Sequence, residues 1–153
     1  MIWTATRDIL LAVLFAAFAG VHAWSASDAC LLLTQKQVSD ALGAQVDSGK
    51  PLVPSNPAIC VWTAPGEARK GDKRLTLSLY MQQGSRSPMD RFNTAKTPVS
   101  GIGDEAFYST AGGISGLVVR KGNTPFHVEV RGFSANEVKQ KEKTLAEEVL
   151  AKL

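Results

Sequence analysis

The sequence is poor in the residue types that build active sites and metal centres. It has only two cysteines and two histidines among 153 residues, and the cysteines do not form a CxxC pair. His127 is the one histidine outside the N-terminal segment, and no nucleophile motif accompanies it. A catalytic triad needs a nucleophile, a base and an orienting group in contact. We therefore predict no catalytic residue, no metal site and no cofactor.

An excess of charge of one sign is also missing. The basic residues number 17 and the acidic residues 14, which leaves a net charge of +3. This charge is too small to predict nucleic acid as a partner. Arg69, Lys70, Lys73 and Arg74 crowd one predicted hairpin, but no aromatic residues separate them, so we interpret them as a solvated loop. The hydrophobic share of 44% and the charged share of 20% are ordinary for a folded domain.

The apolar segment near the N-terminus is too short for a membrane span, which takes roughly 20 residues. Residues 9–20 carry no polar side chain and follow Arg7, a pattern typical of a secretory signal. The tripeptide ending at Ala23 places small side chains where signal peptidase needs them. We predict a signal peptide at residues 1–23 and one exported domain at residues 24–153. An uncleaved anchor and a buried helix are the alternatives.

Both cysteines, Cys30 and Cys60, fall in the exported part. An even count in an exported chain predicts a disulfide bond. This bond closes a loop of about 30 residues, which is worth roughly 3–4 kcal/mol in chain entropy. The residues before Cys30 are not the small apolar box that lipidation needs. The expected location is the periplasm or the exterior, with membrane contact only through the signal peptide before cleavage.

Two capping boxes predict where helices begin. Thr34 is followed by Gln37, and Ser134 by Glu137, each pair three positions apart. Gly43 is placed to close the first helix in a left-handed conformation. The second helix is predicted to run to the C-terminus.

The spacing of apolar residues predicts which side of the C-terminal helix is buried. Val138, Leu145 and Val149 lie on one face. The charged residues, Glu142 among them, are assigned to the exposed side. A third, shorter helix is predicted to begin at Ser87, where proline occupies the first helical position.

Alternation of apolar and polar residues predicts the strands. Residues 75–81 and 126–131 alternate clearly, and residues 59–63, 105–109 and 116–120 complete a set of about five. Consecutive strands joined by turns predict an antiparallel sheet. The expected fold is α+β, with helices packed on one face of the sheet.

Three short segments have structural interpretations. Residues 46–58 contain three prolines and a glycine, so we predict one long loop there. Cys60 and Trp62 point to the same side of a strand, which favours core packing; ligand stacking on an exposed Trp62 is the alternative. The glycine-rich segment leading to Asp104 and Glu105 is predicted to be a tight turn. An acid–base pair or a cation site formed by these two carboxylates is the alternative.

The preferred contact surface is the polar side of two strands. If helices cover only one face of the sheet, this side meets water or a partner. We predict contact through six residues: Thr76, Ser78, Tyr80, His127, Glu129 and Arg131. A solvated sheet face without a partner is the alternative.

The chain resembles small exported bacterial domains of unknown function, including lipoprotein-type domains. The shared motifs are Cys30-Leu-Leu-Leu-Thr, Cys60-x-Trp62 and Gly101-Ile-Gly-Asp-Glu-Ala. In layout the chain is similar to extracellular sensor domains of some bacterial kinases and to secreted β-lactamase-inhibitor-like modules. The resemblance implies architecture and export but no active site, and the chain lacks the lipid-acceptor cysteine of the lipoprotein members.

These observations predict an exported, non-catalytic binding or interaction module. Its expected partner is a protein or a small molecule of the cell envelope. A structural component of the envelope is the second hypothesis. A small secreted hydrolase that uses Asp104, Glu105 or His127 is the third.

Overall fold

A computed structural model of the chain describes residues 28–65, 72–80, 96–110 and 115–153. These residues form two α-helices, seven β-strands and a short 3-10 turn. In chain order the elements are the 3-10 turn (Ala29–Leu31), α1 (Gln35–Leu42), β1 (Lys50–Val53), β2 (Asn56–Thr63), β3 (Arg74–Leu79), β4 (Thr97–Pro98), β5 (Glu105–Ser109), β6 (Gly116–Lys121), β7 (Thr124–Arg131) and α2 (Ala135–Leu150).

The strands form one antiparallel sheet in the order β1-β2-β3-β7-β6-β5-β4. All six neighbouring pairs are antiparallel. The α+β class and the antiparallel sheet are therefore confirmed. Strand β7 pairs with β3, although β4, β5 and β6 lie between them in the chain. The first three strands and the last four strands therefore meet at the β3–β7 pair in the centre of the sheet.

The described residues contain seven strands, not about five. The two additional strands, β1 and β4, are the edges of the sheet. The predicted loop at residues 46–58 is wrong in part, because β1 and the start of β2 lie within it. Pro51 and Pro98 are tolerated in edge strands, where one side of the backbone needs no strand partner.

The helix starts follow the predicted pairs. Thr34 Oγ1 accepts a hydrogen bond from Gln37 N at 3.2 Å, and Gln37 Oε1 accepts one from Thr34 N at 2.9 Å. Gly43 ends α1 with φ of 62°, which is the predicted left-handed cap. Glu137 Oε2 accepts hydrogen bonds from both N and Oγ of Ser134, at 3.0 and 2.6 Å.

A single large core joins both helices to one face of the sheet. Alternate residues of the central strands, such as Leu77 and Val128, belong to it. Val38 from α1 and Leu145 from α2 belong to the same cluster. Both helices therefore pack on the face that carries these apolar strand residues.

The predicted disulfide bond joins Cys30 and Cys60. It ties the 3-10 turn to β2, next to the start of α1. Trp62 is 1% exposed and lies in the core, so ligand stacking on its ring, which requires exposure, is not compatible with this structure. A Cβ atom added at Gly49 would lie 2.5 Å from the Trp62 ring atom Cε2, so the backbone passes directly against the indole.

Several predictions fall outside the described residues. These are the signal peptide at residues 1–23, the end of the 75–81 strand at Met81, and the third helix beginning at Ser87. Neither of the two described α-helices combines the length and the apolar character needed to cross a membrane.

Candidate functional site

The predicted contact residues are neighbours in the sheet. Thr76 lies opposite Glu129, and Ser78 lies opposite His127, in the β3–β7 pairing. Tyr80 follows β3, and its N–H donates to the Pro125 carbonyl oxygen at 2.9 Å. The sheet therefore gathers these side chains on the face opposite the large core, as the period-2 pattern of the two strands requires.

Most of this polar row is buried. Ser78, His127 and Glu129 are 7%, 5% and 8% exposed, whereas Thr76 and Tyr80 are half-buried and Arg131 is exposed. Burial lowers the pKa of His127, and the nearby Glu129 carboxylate opposes the shift. Partner contact through this row stays a prediction, and among its six residues Arg131 presents the most surface.

Gly116 allows the His127 ring to lie close to the backbone of β6. A Cβ atom at Gly116 would meet His127 Nε2 and would lie 2.7 Å from the Val128 carbonyl oxygen. Because a backbone oxygen cannot move aside easily, any larger residue at this position forces the strand and the imidazole apart. The position of His127 therefore depends on the absence of a side chain at Gly116.

Glu129 and Arg131 form an ion pair, and both residues of this pair line a cavity. Arg131 Nε bonds to Glu129 Oε1, and the Arg131 side chain remains half exposed. The cavity has a volume of about 460 Å³, and we call the region around it the β7–α2 corner. Its lining residues are Ser115, Glu129, Val130, Arg131, Gly132, Phe133, Ala135, Val138 and Lys139.

Lysines lie against Phe133, the aromatic wall of the cavity, and against the neighbouring Tyr108 ring. The Nζ atoms of Lys141 and Lys73 lie 4.6 and 5.4 Å from the centre of the Phe133 ring. Lys139 Nζ lies 5.4 Å from the centre of the Tyr108 ring, whose hydroxyl donates to the Lys139 carbonyl oxygen at 2.9 Å. Cations at such distances are attracted to the ring faces.

A buried carboxyl group contacts Val130, one of the lining residues of the cavity. Glu142 is 0% exposed, and its Oε1 accepts a hydrogen bond from Val130 N at 3.0 Å. Its Oε2 has no hydrogen-bond partner among the described residues. The β6–β7 register ends at Val128. Val130 lies beyond the last β7 residue that pairs with β6, and its N–H donates to Glu142 instead.

Burial raises the pKa of Glu142 to about 8. The nearby Glu129 carboxylate adds to this rise, while the hydrogen bond from Val130 and the charge of Lys139 oppose it. The side chain is therefore mostly neutral at pH 7. Burial and, to a smaller extent, the Glu142 carboxylate also raise the pKa of Tyr108.

The assignment of Glu142 to the exposed side of the C-terminal helix is wrong. Its position four residues after Val138 and three before Leu145 places it on the apolar stripe of α2. That spacing was the signal for its burial. The cavity itself has no such signal, because Ser115, Phe133 and Lys139 meet only through the tertiary fold.

The glycine-rich segment at residues 101–104 forms a turn that contacts the hairpin between β6 and β7. Gly101 and Gly103 have φ angles of 79° and 59°, as a tight turn requires. Asp104 Oδ2 accepts a hydrogen bond from Gly122 N at 2.6 Å, and Glu105 Oε2 lies 3.4 Å from Arg120 Nε. The two carboxylates are therefore engaged in holding the turn between β6 and β7.

The predicted basic hairpin is partly described. Arg69 and Lys70 lie outside the described residues, and Arg74 pairs with Thr63 in the sheet. Lys73 has the unexpected position against Phe133, so one residue of this group belongs to the β7–α2 corner.

Within the described ranges, no three histidine, cysteine, aspartate or glutamate side chains lie close enough together to hold a metal ion. Comparison with protein-family models, with curated proteins and with solved structures finds no match for the chain.

Proposed function

We propose that this protein is an exported, non-catalytic binding module and that it binds its partner at the β7–α2 corner. One observation carries the proposal: Glu129 and Arg131, two residues of the predicted contact surface, also line a cavity of about 460 Å³. Ligand sites usually have volumes of about 300–1,000 Å³, with apolar walls and a few placed polar groups. This cavity has a volume in that range, and its lining combines four apolar side chains with four polar or charged ones.

The Cys30–Cys60 disulfide supports export, because disulfides persist mainly in oxidising compartments. Together with the predicted signal peptide at residues 1–23, it favours the periplasm or the exterior as the place of function. The partner is then a protein or a small molecule of the cell envelope.

Filling the cavity tests the proposal. Ala135 lines the cavity at the first turn of α2 and is exposed, so Ala135→Trp places a large ring there without opening the core. Asn136→Trp is the matched control, since Asn136 is the next residue, is also exposed, and is not part of the lining. Native mass spectrometry of protein isolated without denaturation measures what remains bound.

The expected result is a bound species on wild type and on Asn136→Trp that is missing from Ala135→Trp. Identical spectra for the three proteins would contradict binding at this corner. Circular dichroism of each variant confirms that it is folded before its spectrum is compared. Among the described residues, no particular contact favours the hypothesis of an envelope structural component or of a hydrolase over binding.

A further inference from the structure

The charges around the β7–α2 corner are unequal in sign. Arg131 and Lys139 line the cavity, and Lys73 and Lys141 lie over the ring of its Phe133 wall. Within the described residues, none of the three lysines has a carboxylate oxygen within 4.0 Å. The positive charges of this corner are therefore only partly compensated by local ion pairs.

The nearby carboxyl groups cancel only part of this charge. Glu129 is bound to Nε of Arg131, and no described residue bonds to the two terminal nitrogens of that guanidinium. Glu137 accepts two hydrogen bonds from Ser134 at the start of α2, and its carboxylate also interacts with the charges of Lys141 and Lys73. The buried Glu142 is mostly neutral at pH 7 and adds little negative charge.

The apolar part of the cavity lies beside these cations. Phe133 and Val138 are half-buried and supply aromatic and hydrocarbon surface, and the small side chain of Ala135 also lines the cavity. A purely hydrated ion does not use such surface, and an uncharged apolar molecule does not use the cations. The combination matches a molecule that has both an apolar body and an acidic group.

We propose that the β7–α2 corner binds a small organic anion, with its apolar body against Phe133 and Val138 and its acidic group near Arg131 and Lys139. This inference rests on the proposed function and specifies the class of ligand. The acidic group is a carboxylate, sulfonate or phosphate, since all three accept hydrogen bonds from guanidinium and ammonium groups.

A pair of dyes separates the two parts of the proposal. Anilinonaphthalenesulfonate carries an aromatic body and a negative charge, whereas N-phenylnaphthylamine has a closely related body without the charge. Both are titrated by fluorescence, with direct excitation of the dye, into folded wild-type protein at pH 7. We expect the anionic dye to bind about tenfold more tightly than the neutral dye, and added salt to reduce this difference.

Variants locate the dye and its charge. Ala135→Trp is expected to abolish binding of the anionic dye, while Asn136→Trp leaves it unchanged. Lys139→Gln is expected to weaken anionic-dye binding about two- to fivefold, because it removes one exposed charge contact. Lys143→Gln is the matched control, since Lys143 is an exposed lysine of the same helix outside the cavity lining.

Each other outcome overturns a stated part of the proposal. Equal binding of the two dyes, both lost in Ala135→Trp, would reject the preference for anions and leave the proposed binding site intact. Anionic-dye binding that survives Ala135→Trp would place the dye elsewhere and reject the site. Failure of both dyes to bind would reject the inference about ligand class, while the native mass spectra would still report on binding itself.

Discussion

The two helices of the described fold begin at corners that are built in opposite ways. At the disulfide corner, formed by Ala29–Leu31, Cys60 and Trp62, a covalent bond ties the chain ahead of α1 to β2, and the Trp62 indole of the same strand is buried. At the β7–α2 corner, a cavity lies between the end of β7 and the start of α2, two lysines lie against the Phe133 ring, and the buried Glu142 keeps one oxygen without a partner among the described residues.

This difference separates scaffold from candidate site. A buried carboxyl oxygen without a hydrogen bond costs stability, and uncompensated charges repel one another. Such features persist where the rest of the fold is stable enough to tolerate them, and functional sites are where they are commonly found. We expect the disulfide corner to contribute much of that stability.

Removing the covalent bond is expected to have the largest effect. Cys30→Ala/Cys60→Ala opens a loop between residues 30 positions apart, which should lower the free energy of unfolding by about 3–4 kcal/mol. Denaturant unfolding followed by circular dichroism measures the loss. Anionic-dye binding should persist in the fraction that remains folded. A loss below about 1 kcal/mol would mean that the disulfide corner is not the main source of stability.

The pH dependence of stability tests the other corner. The pKa of Glu142 is raised from 4.5 to about 8 on folding, so the folded state holds a proton that the unfolded state releases. Its stabilising contribution is complete below pH 4.5 and declines as the pH rises towards 8. Relative to Glu142→Gln, the free energy of unfolding of wild type should fall by about 1 kcal/mol between pH 6 and pH 7.

Comparison with Glu142→Gln removes the contribution of His127. The pKa of His127 is lowered on folding, so its effect on stability has the opposite slope below pH 6.5, but it is common to both proteins. Glu147→Gln is the control, because Glu147 is exposed on the same helix. A constant difference between wild type and Glu142→Gln across this range would show that the buried carboxyl group does not titrate as described.

The smallest effect is expected at the helix starts. Thr34→Ala removes the hydroxyl that accepts from Gln37 N, and should cost about 1 kcal/mol. Ser134→Ala should cost less, because the Ser134 hydroxyl, unlike Thr34 Oγ1, makes no side-chain cap hydrogen bond with the first N–H groups of its helix. It should also raise the pKa of Glu137, which the Ser134 hydroxyl lowers most strongly. Thermal unfolding and NMR titration measure the two effects, and an equal loss in both variants would contradict the difference between corners.

Local patterns predicted most of the described fold. The alternation at residues 126–131 requires one buried face, and the Thr34–Gln37 spacing satisfies amides at a helix start, so both patterns act within a few residues. The edge strand Lys50–Val53 was not predicted, because three prolines and a glycine in residues 46–58 indicated a loop. All four of its residues are exposed, so no alternation marks it. Only its pairing with β2 makes it a strand.

The candidate site was predicted only in part. Glu129 and Arg131 were placed on a common strand face by their alternation, but the cavity beside them also requires Phe133 and Lys139. These residues come together because α2 turns back across the end of β7. No spacing within the sequence records the distance between a strand and the helix that follows it.

The sequence by itself determined the helix caps, the five recognisable strands, the α+β class and the disulfide partners, because each depends on neighbouring residues or on a pair of cysteines with no competitor. Only the tertiary structure decided the order of the strands, the burial of His127 and the unequal charge of the β7–α2 corner. These depend on the distances between residues far apart in the chain, which are set by how the helices and the sheet pack together.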